Sequence, residues 1–291
     1  MEWFVRKILV DNYLEHYEES LRNIPLSHML NPLEKTIQYP AHAMHLNASV
    51  NDDNISIVKN LEWQIGTSPE WYQSFVQLCH GDLGTQERHE AMTESCAIES
   101  TPQEQLQFLV TIPGCFHIHM ACMDAIWQVH IQSNALHEVK GGVFDQFKVL
   151  HPKDWSKLAS NPTYHMLNDG IQHLISSHLL VCWEQATGFS NLKDFAESEP
   201  LWSDVVCLSE MICCKKIAGW VDEEEQQNED DPRDHLEDGN LLFQHNGLWY
   251  CMLAHAMNTG AVGVMEDLLW LWVPMFSGCD KHKYAAHLAT G

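Results

Sequence analysis

Short apolar runs alternate with helically spaced segments in the first half of the chain, and helical spacing alone fills the second. Lys7-Ile-Leu-Val10 is a brief apolar run stopped by Asp11-Asn12, and it predicts a buried strand. Leu21 to Ala48 carries Pro25, Pro32 and Pro40 and predicts a loop. Ile55, Val58, Leu61 and Ile65 recur every three or four residues, which predicts a helix capped by Asp52 and Asp53 and closed by Gly66-Thr-Ser-Pro69. Phe75-Val-Gln-Leu-Cys79 predicts a second strand. His80-Gly-Asp-Leu-Gly84 follows as a turn, with Thr85 as the cap of a helix running to about Glu94. Leu106 to Ile112 is rich in β-favouring residues and predicts a third strand, broken by Pro113-Gly114 ahead of a helix from Phe116 to Ile131.

That succession of strand, turn and helix is the grammar of an α/β sheet with parallel neighbours. After about residue 150 the pattern is helical, with segments near Tyr164–Glu184, Trp202–Ala218, Leu241–Asn258 and Val262–Phe276. The expected fold is therefore a helix-rich α+β chain. Residues 1–150 form a part with a small mixed sheet, and residues 151–291 form an all-helical part. Between two of the later helices, residues 222–238 hold ten acidic residues and one arginine; this stretch is too polar to bury and predicts a disordered acidic loop.

Charge narrows the function classes. The formal net charge is −24, and removing the 222–238 segment, which contributes −9, still leaves −15. Nucleic-acid binding draws much of its affinity from Lys and Arg on phosphates, so this chain alone is a poor nucleic-acid binder. No apolar stretch reaches the ~20 residues that span a bilayer, and Arg6 and Lys7 interrupt the apolar N-terminus, which argues against a signal peptide. The ten cysteines are scattered without a CxxC pair, which points to reduced thiols and an intracellular setting, nuclear or cytoplasmic.

Two constellations could carry chemistry. Asp11 and Asp82 each end a predicted strand. If those strands are parallel neighbours, both carboxylates emerge at one sheet edge, where they could hold Mg²⁺ ions about 3.5–4 Å apart. Asp-Asn and Gly-Asp are equally ordinary at strand ends and turns. Cys115-Phe-His117-Ile-His119-Met-Ala-Cys122 has the residue types of a zinc site. Its spacing is poor for one, and histidines packed into a strand-to-helix corner explain it as well. Phosphate loops of the GxxxxGK type, GxSxG elbows and GxGxxG turns are absent from the sequence.

His80-Gly-Asp-Leu-Gly-Thr-Gln-Glu-Arg88 contains a Gly-Asp-x-x-Thr-x-x-Arg element. With Ile112-Pro-Gly-Cys-Phe-His117, Ala125-Ile-Trp127, Leu179-Leu-x-x-Trp183 and Gly260-x-x-Gly-x-Met-Glu-Asp-Leu-Leu269, it resembles the fungal and scattered animal family called domain of unknown function 6589. By analogy, that resemblance implies a transposon-derived protein of the ribonuclease H-like kind. Asp11 and Asp82 would then be the first two catalytic acids and metal ligands, with Mg²⁺ as cofactor. The family's third acid lies in a C-terminal Glu-His-x-Asn-type helix that this chain, ending at Gly291, does not contain; Glu266 is the substitute on paper. The resemblance thus implies a truncated, non-catalytic remnant. The alternatives are a metal-dependent DNA-processing enzyme using Asp11, Asp82 and Glu266, and an acidic protein-interaction module working through residues 222–238.

Overall fold

The structure, a computed structural model, describes residues 1–22, 34–35, 37–66, 68, 71, 74–217 and 235–290. In chain order the helices and strands are α1 (Glu2–Tyr13), α2 (Glu18–Arg22), α3 (Asn51–Ile65), β1 (Gln77–Gly81), α4 (Leu83–Cys96), β2 (Leu109–Pro113) and α5 (Cys115–His130). There follow α6 (Asn134–His137), α7 (Val143–Leu150), α8 (Trp155–Ser160), α9 (Tyr164–Thr187), α10 (Leu192–Glu197) and α11 (Trp202–Met211), then α12 (His235–Thr259), α13 (Val262–Gly278) and α14 (His282–Thr290). A single turn of 3-10 helix joins α1 to α2, and α11 runs on into a π-helical turn over Ile212–Ile217. The chain divides into two compact units. One comprises Met1–Asn31 and Cys122–Ala289, and the other comprises Pro32–Ala121 with Thr290–Gly291.

The first unit is helical. Along α9, Leu167, Ile171, Leu174, Ile175, Leu179, Cys182 and Trp183 are buried at helical spacing, and Gly188 ends the helix in the left-handed region at φ 71°. Helices α1, α7, α10, α11 and α12 pack against α9, and α13 packs against α12. Three polar groups inside this core have partners, whereas the Trp272 indole nitrogen and Arg6 Nε are buried without one among the described residues. The Trp183 indole donates to the Val5 carbonyl at 3.0 Å, Tyr250 donates to Asn168 at 2.7 Å, and the buried Arg6 guanidinium donates to the Ser209 hydroxyl at 2.9 Å.

The second unit is built on two parallel strands. β1 and β2 pair from Gln77↔Leu109 to Gly81↔Pro113, with α4 as the crossover between them. One face of the pair carries α4, which in turn packs on α3. Val58, Met92, Cys96, Leu106 and Phe108 form the core there, joined by the partly buried Ile55, Trp71 and Leu109.

The expected ribonuclease H-like sheet is not present among the described residues, where the sheet has two strands and nearly everything else regular is helical. The first predicted strand, Lys7–Val10, lies inside α1. The reason is visible one turn earlier: Phe4, Val5, Ile8, Leu9 and Val10 are buried together, and the pairs Phe4/Val5 and Ile8/Leu9 are four residues apart, which makes one helical stripe. Reading from Lys7 cut that stripe to a run too short to show its period. The other two predicted strands exist, shifted C-terminally by two or three residues at their starts, and they are parallel as expected. The predicted cap Thr85 sits inside α4, whose cap is Asp82, while Asp52 and Asp53 fall in the first turn of α3 behind Val50. Most of the predicted acidic loop lies outside the described residues; His235 to Asp238 form the first turn of α12.

Candidate functional site

The best-defined polar site is the corner where β1 and β2 end. Each strand runs directly into a helix, β1 through Gly81-Asp82 into α4 and β2 through Pro113-Gly114 into α5, so both helix N-termini open at the same end of the strand pair. Close approach dictates the glycines. A Cβ on Gly81 would lie 2.7 Å from the Thr85 Cβ, and one on Gly114 would lie 3.1 Å from the Gly81 carbonyl oxygen. That second contact lets the Gly114 amide donate to the Gly81 carbonyl at 2.8 Å, extending the strand ladder into the corner.

Asp82 has extended backbone geometry, and its Oδ1 accepts the Thr85 amide at 2.7 Å, which makes it the N-cap of α4. Its carboxyl is held below the usual range, first by hydrogen bonds from the Thr85 hydroxyl and amide, then by the nearby charges of His117 and Arg88. Arg88, one turn further along α4, would bring a guanidinium nitrogen within 3.5 Å of a Cβ on Gly84. His89, beside it, is buried and sits 3.0 Å from the Thr111 hydroxyl on β2; burial, with the Arg88 charge, favours its neutral form. The thiols around the corner are not primed for attack: burial pushes Cys79 and Cys115 up, so their thiolate fractions are small.

The nominated acids have different surroundings. Asp11 lies near the end of α1 in the helical unit, paired with Lys7 one turn back at 2.5 Å. It also lines a shallow hollow with Val10, Glu15 and Glu18. Glu266 is exposed on α13 of the same unit, and Asp82 belongs to the other unit. Among the described residues, no three His, Cys, Asp or Glu side chains gather where they could hold a metal ion. None of these acids is therefore joined, among the described residues, by the further carboxylates that a pair of Mg²⁺ ions shares. Cys115, His117, His119 and Cys122 all lie on α5, with His119 and Cys122 buried. Arg88 and His117 are the neighbours of Asp82 that strand-end reasoning overlooked. The signal was available in the Asp-x-x-Thr-x-x-Arg spacing, which stacks cap, Thr85 and Arg88 along one face of the helix.

The sequence profile of a family of unknown function (DUF6589) matches residues 1–290. The chain belongs to that family. No curated protein matches it, and no solved structure matches it. Its DUF6589 sequence therefore brings a family but no fold and no activity from elsewhere. No described helix is long and apolar enough to cross a membrane.

Proposed function

We propose that this DUF6589 chain is non-catalytic and works by binding other macromolecules. The observation that carries the reading is the engagement of Asp82: its Oδ1 caps α4 through the Thr85 amide at 2.7 Å. A carboxylate that closes a helix end this way, with Arg88 and His117 charges beside it and no cluster of further acids among the described residues, has a structural task. The raised thiols of Cys79 and Cys115 offer no alternative nucleophile at the same corner. Descent from a transposase-like protein, which the family resemblance implies, draws no support from a two-stranded sheet, and the non-catalytic reading does not depend on it.

The test uses the full chain with supercoiled and linear DNA in Mg²⁺ or Mn²⁺. No cleavage or strand transfer above buffer is expected. Metal-dependent cleavage that disappears in Asp82→Ala would overturn the reading.

A further inference from the structure

Among the described residues, the face of the strand pair opposite α4 is largely uncovered, with Ile112, the partner of His80, partly buried on it. Side chains alternate along β1: Gln77 and Cys79 are partly covered, whereas Leu78 is 56% exposed and His80 is exposed. Val110, the registered partner of Leu78 and so on the same face, is 42% exposed. Just ahead of β1, Phe75 and Val76 are 56% and 60% exposed. Among the described residues, the outer edge of β1 is also open. The Gln77 amide donates to Phe108 and the Gly81 carbonyl accepts from Gly114, so the odd-numbered backbone groups face β2. Alternation then turns the amides and carbonyls of Leu78 and His80 to the other side, where no described strand pairs with them.

Exposed apolar edges of this kind are a hazard that proteins blunt with lysine, proline or a covering element. None of these residues supplies it: Phe75 to Gly81 contains neither Lys nor Pro. A largely uncovered face and an unblunted edge on the same strand are what β-augmentation uses, with main-chain bonds giving affinity and side chains on alternate positions giving selectivity.

Charge selects the occupant. Pro32–Ala121 holds eleven acidic residues against three basic ones, none of the latter between Asn60 and Glu87, and Asp82 stands exposed directly after β1. A second copy of a chain with net charge −24 would meet like charge. We infer that the outer edge of β1 takes up an extended segment of another protein as an added strand, a segment that alternates apolar residues with polar ones and carries Lys or Arg. The inference rests on the non-catalytic reading and names the partner class that reading leaves open.

The probe is an eight-residue capped peptide alternating valine with threonine or lysine, with arginine at each end. Two comparators accompany it: one with a central proline, and one with glutamate in place of every basic residue. Anisotropy of the labelled peptide against the full chain gives affinity, and hydrogen exchange locates binding. The expected result is exchange at the Leu78 and His80 amides slowed at least about tenfold, with neither comparator binding. Leu78→Asp and, outside the strand, Val76→Asp should each weaken binding by about tenfold or more. Trp63→Asp, at another exposed apolar position of the unit, should leave it unchanged.

Any of several results overturns the inference: no binding, affinity in the two aspartate variants unchanged from the parent chain, equal binding of the proline comparator, or protection away from β1. So does protection of β1 that grows with protein concentration without peptide, because the occupant would then be a second copy. Failure here leaves the DNA-cleavage result, and the non-catalytic reading it decides, untouched.

Discussion

In the unit formed by Met1–Asn31 and Cys122–Ala289, Trp183, Trp272, Tyr250, Phe243 and Phe276 are all fully buried. In the Pro32–Ala121 unit, the core is the small cluster of Val58, Met92, Cys96, Leu106 and Phe108. Of the twelve largest fully buried side chains among the described residues, two, Met92 and Leu106, belong to this second unit. Aromatic burial contributes most per residue, so the helical unit has the larger hydrophobic reserve. Among the described residues, the smaller unit covers one face of its strand pair and leaves the other largely uncovered. A two-stranded sheet is stable only when something packs on it, and among the described elements α4, backed by α3, fills that role. The contrast places the larger core in one unit and exposed apolar strand residues in the other.

The contrast breaks most readily at its cores. Trp183→Ala removes a fully buried indole and leaves the Val5 carbonyl without its 3.0 Å donor; a loss of about 3–5 kcal/mol is expected in denaturant melts followed by fluorescence of the helical unit. Met92→Ala should cost about 2–5 kcal/mol. Because the second unit has so little core to redistribute, hydrogen exchange should show Pro32–Ala121 opening while the α9 and α12 amides stay protected. Simultaneous opening of both units would show that they do not differ in the way described.

Acid probes the helical unit next. Burial holds His130 and His178 down to about 4, against an ordinary imidazole near 6.5. A folded value below the unfolded one favours the neutral ring. The resulting stability is present above about pH 6.5 and is lost as pH falls from there towards 4. His130 faces Phe243 edge-on and lies 3.0 Å from the Asn246 amide nitrogen, so its neutral ring is built into the packing. At pH 5 relative to pH 7, His130 should account for about 2 kcal/mol of lost stability. Melts of His130→Gln at both pH values should show a smaller pH dependence than the parent chain, and an unchanged dependence would refute the assignment.

Smaller still is the cap. Asp82→Ala should lower the stability of the second unit by about 1 kcal/mol, and Asp82→Asn by a few tenths. Because the folded carboxyl is held below its ordinary value, the Asp82 contribution is present at neutral pH and lost as pH falls below the usual carboxylate range.

Legibility in the sequence followed the length over which each pattern could repeat. Helix α3 and its Gly66 stop were readable because four apolar positions spaced by helical turns precede a glycine that takes φ 73°. Helices α9, α12 and α13 were readable for the same reason. The two parallel strands were found, with their starts misplaced by two or three residues, because strand ends are set by ladder bonds that no local pattern records. α1 is misleading because Lys7 to Val10 look like a strand when Phe4 and Val5 are left out. At the site, Gly81 and Asp82 were visible as a turn. That Asp82 caps α4 in place of Thr85, and that Arg88 and His117 lie near its carboxylate, depends on how the strand-end corner closes in three dimensions.

The role of Asp82 decides whether the corner is structural or catalytic, and thermal unfolding with and without divalent metal tests it directly. A metal held by the native carboxylate would stabilise the fold by mass action. The account predicts that millimolar Mg²⁺ or Mn²⁺ leaves the melting of the Pro32–Ala121 unit unchanged, and that Asp82→Asn melts slightly below the parent chain in both conditions. A metal-dependent rise in melting temperature that is present in the parent chain and absent in Asp82→Asn would contradict it.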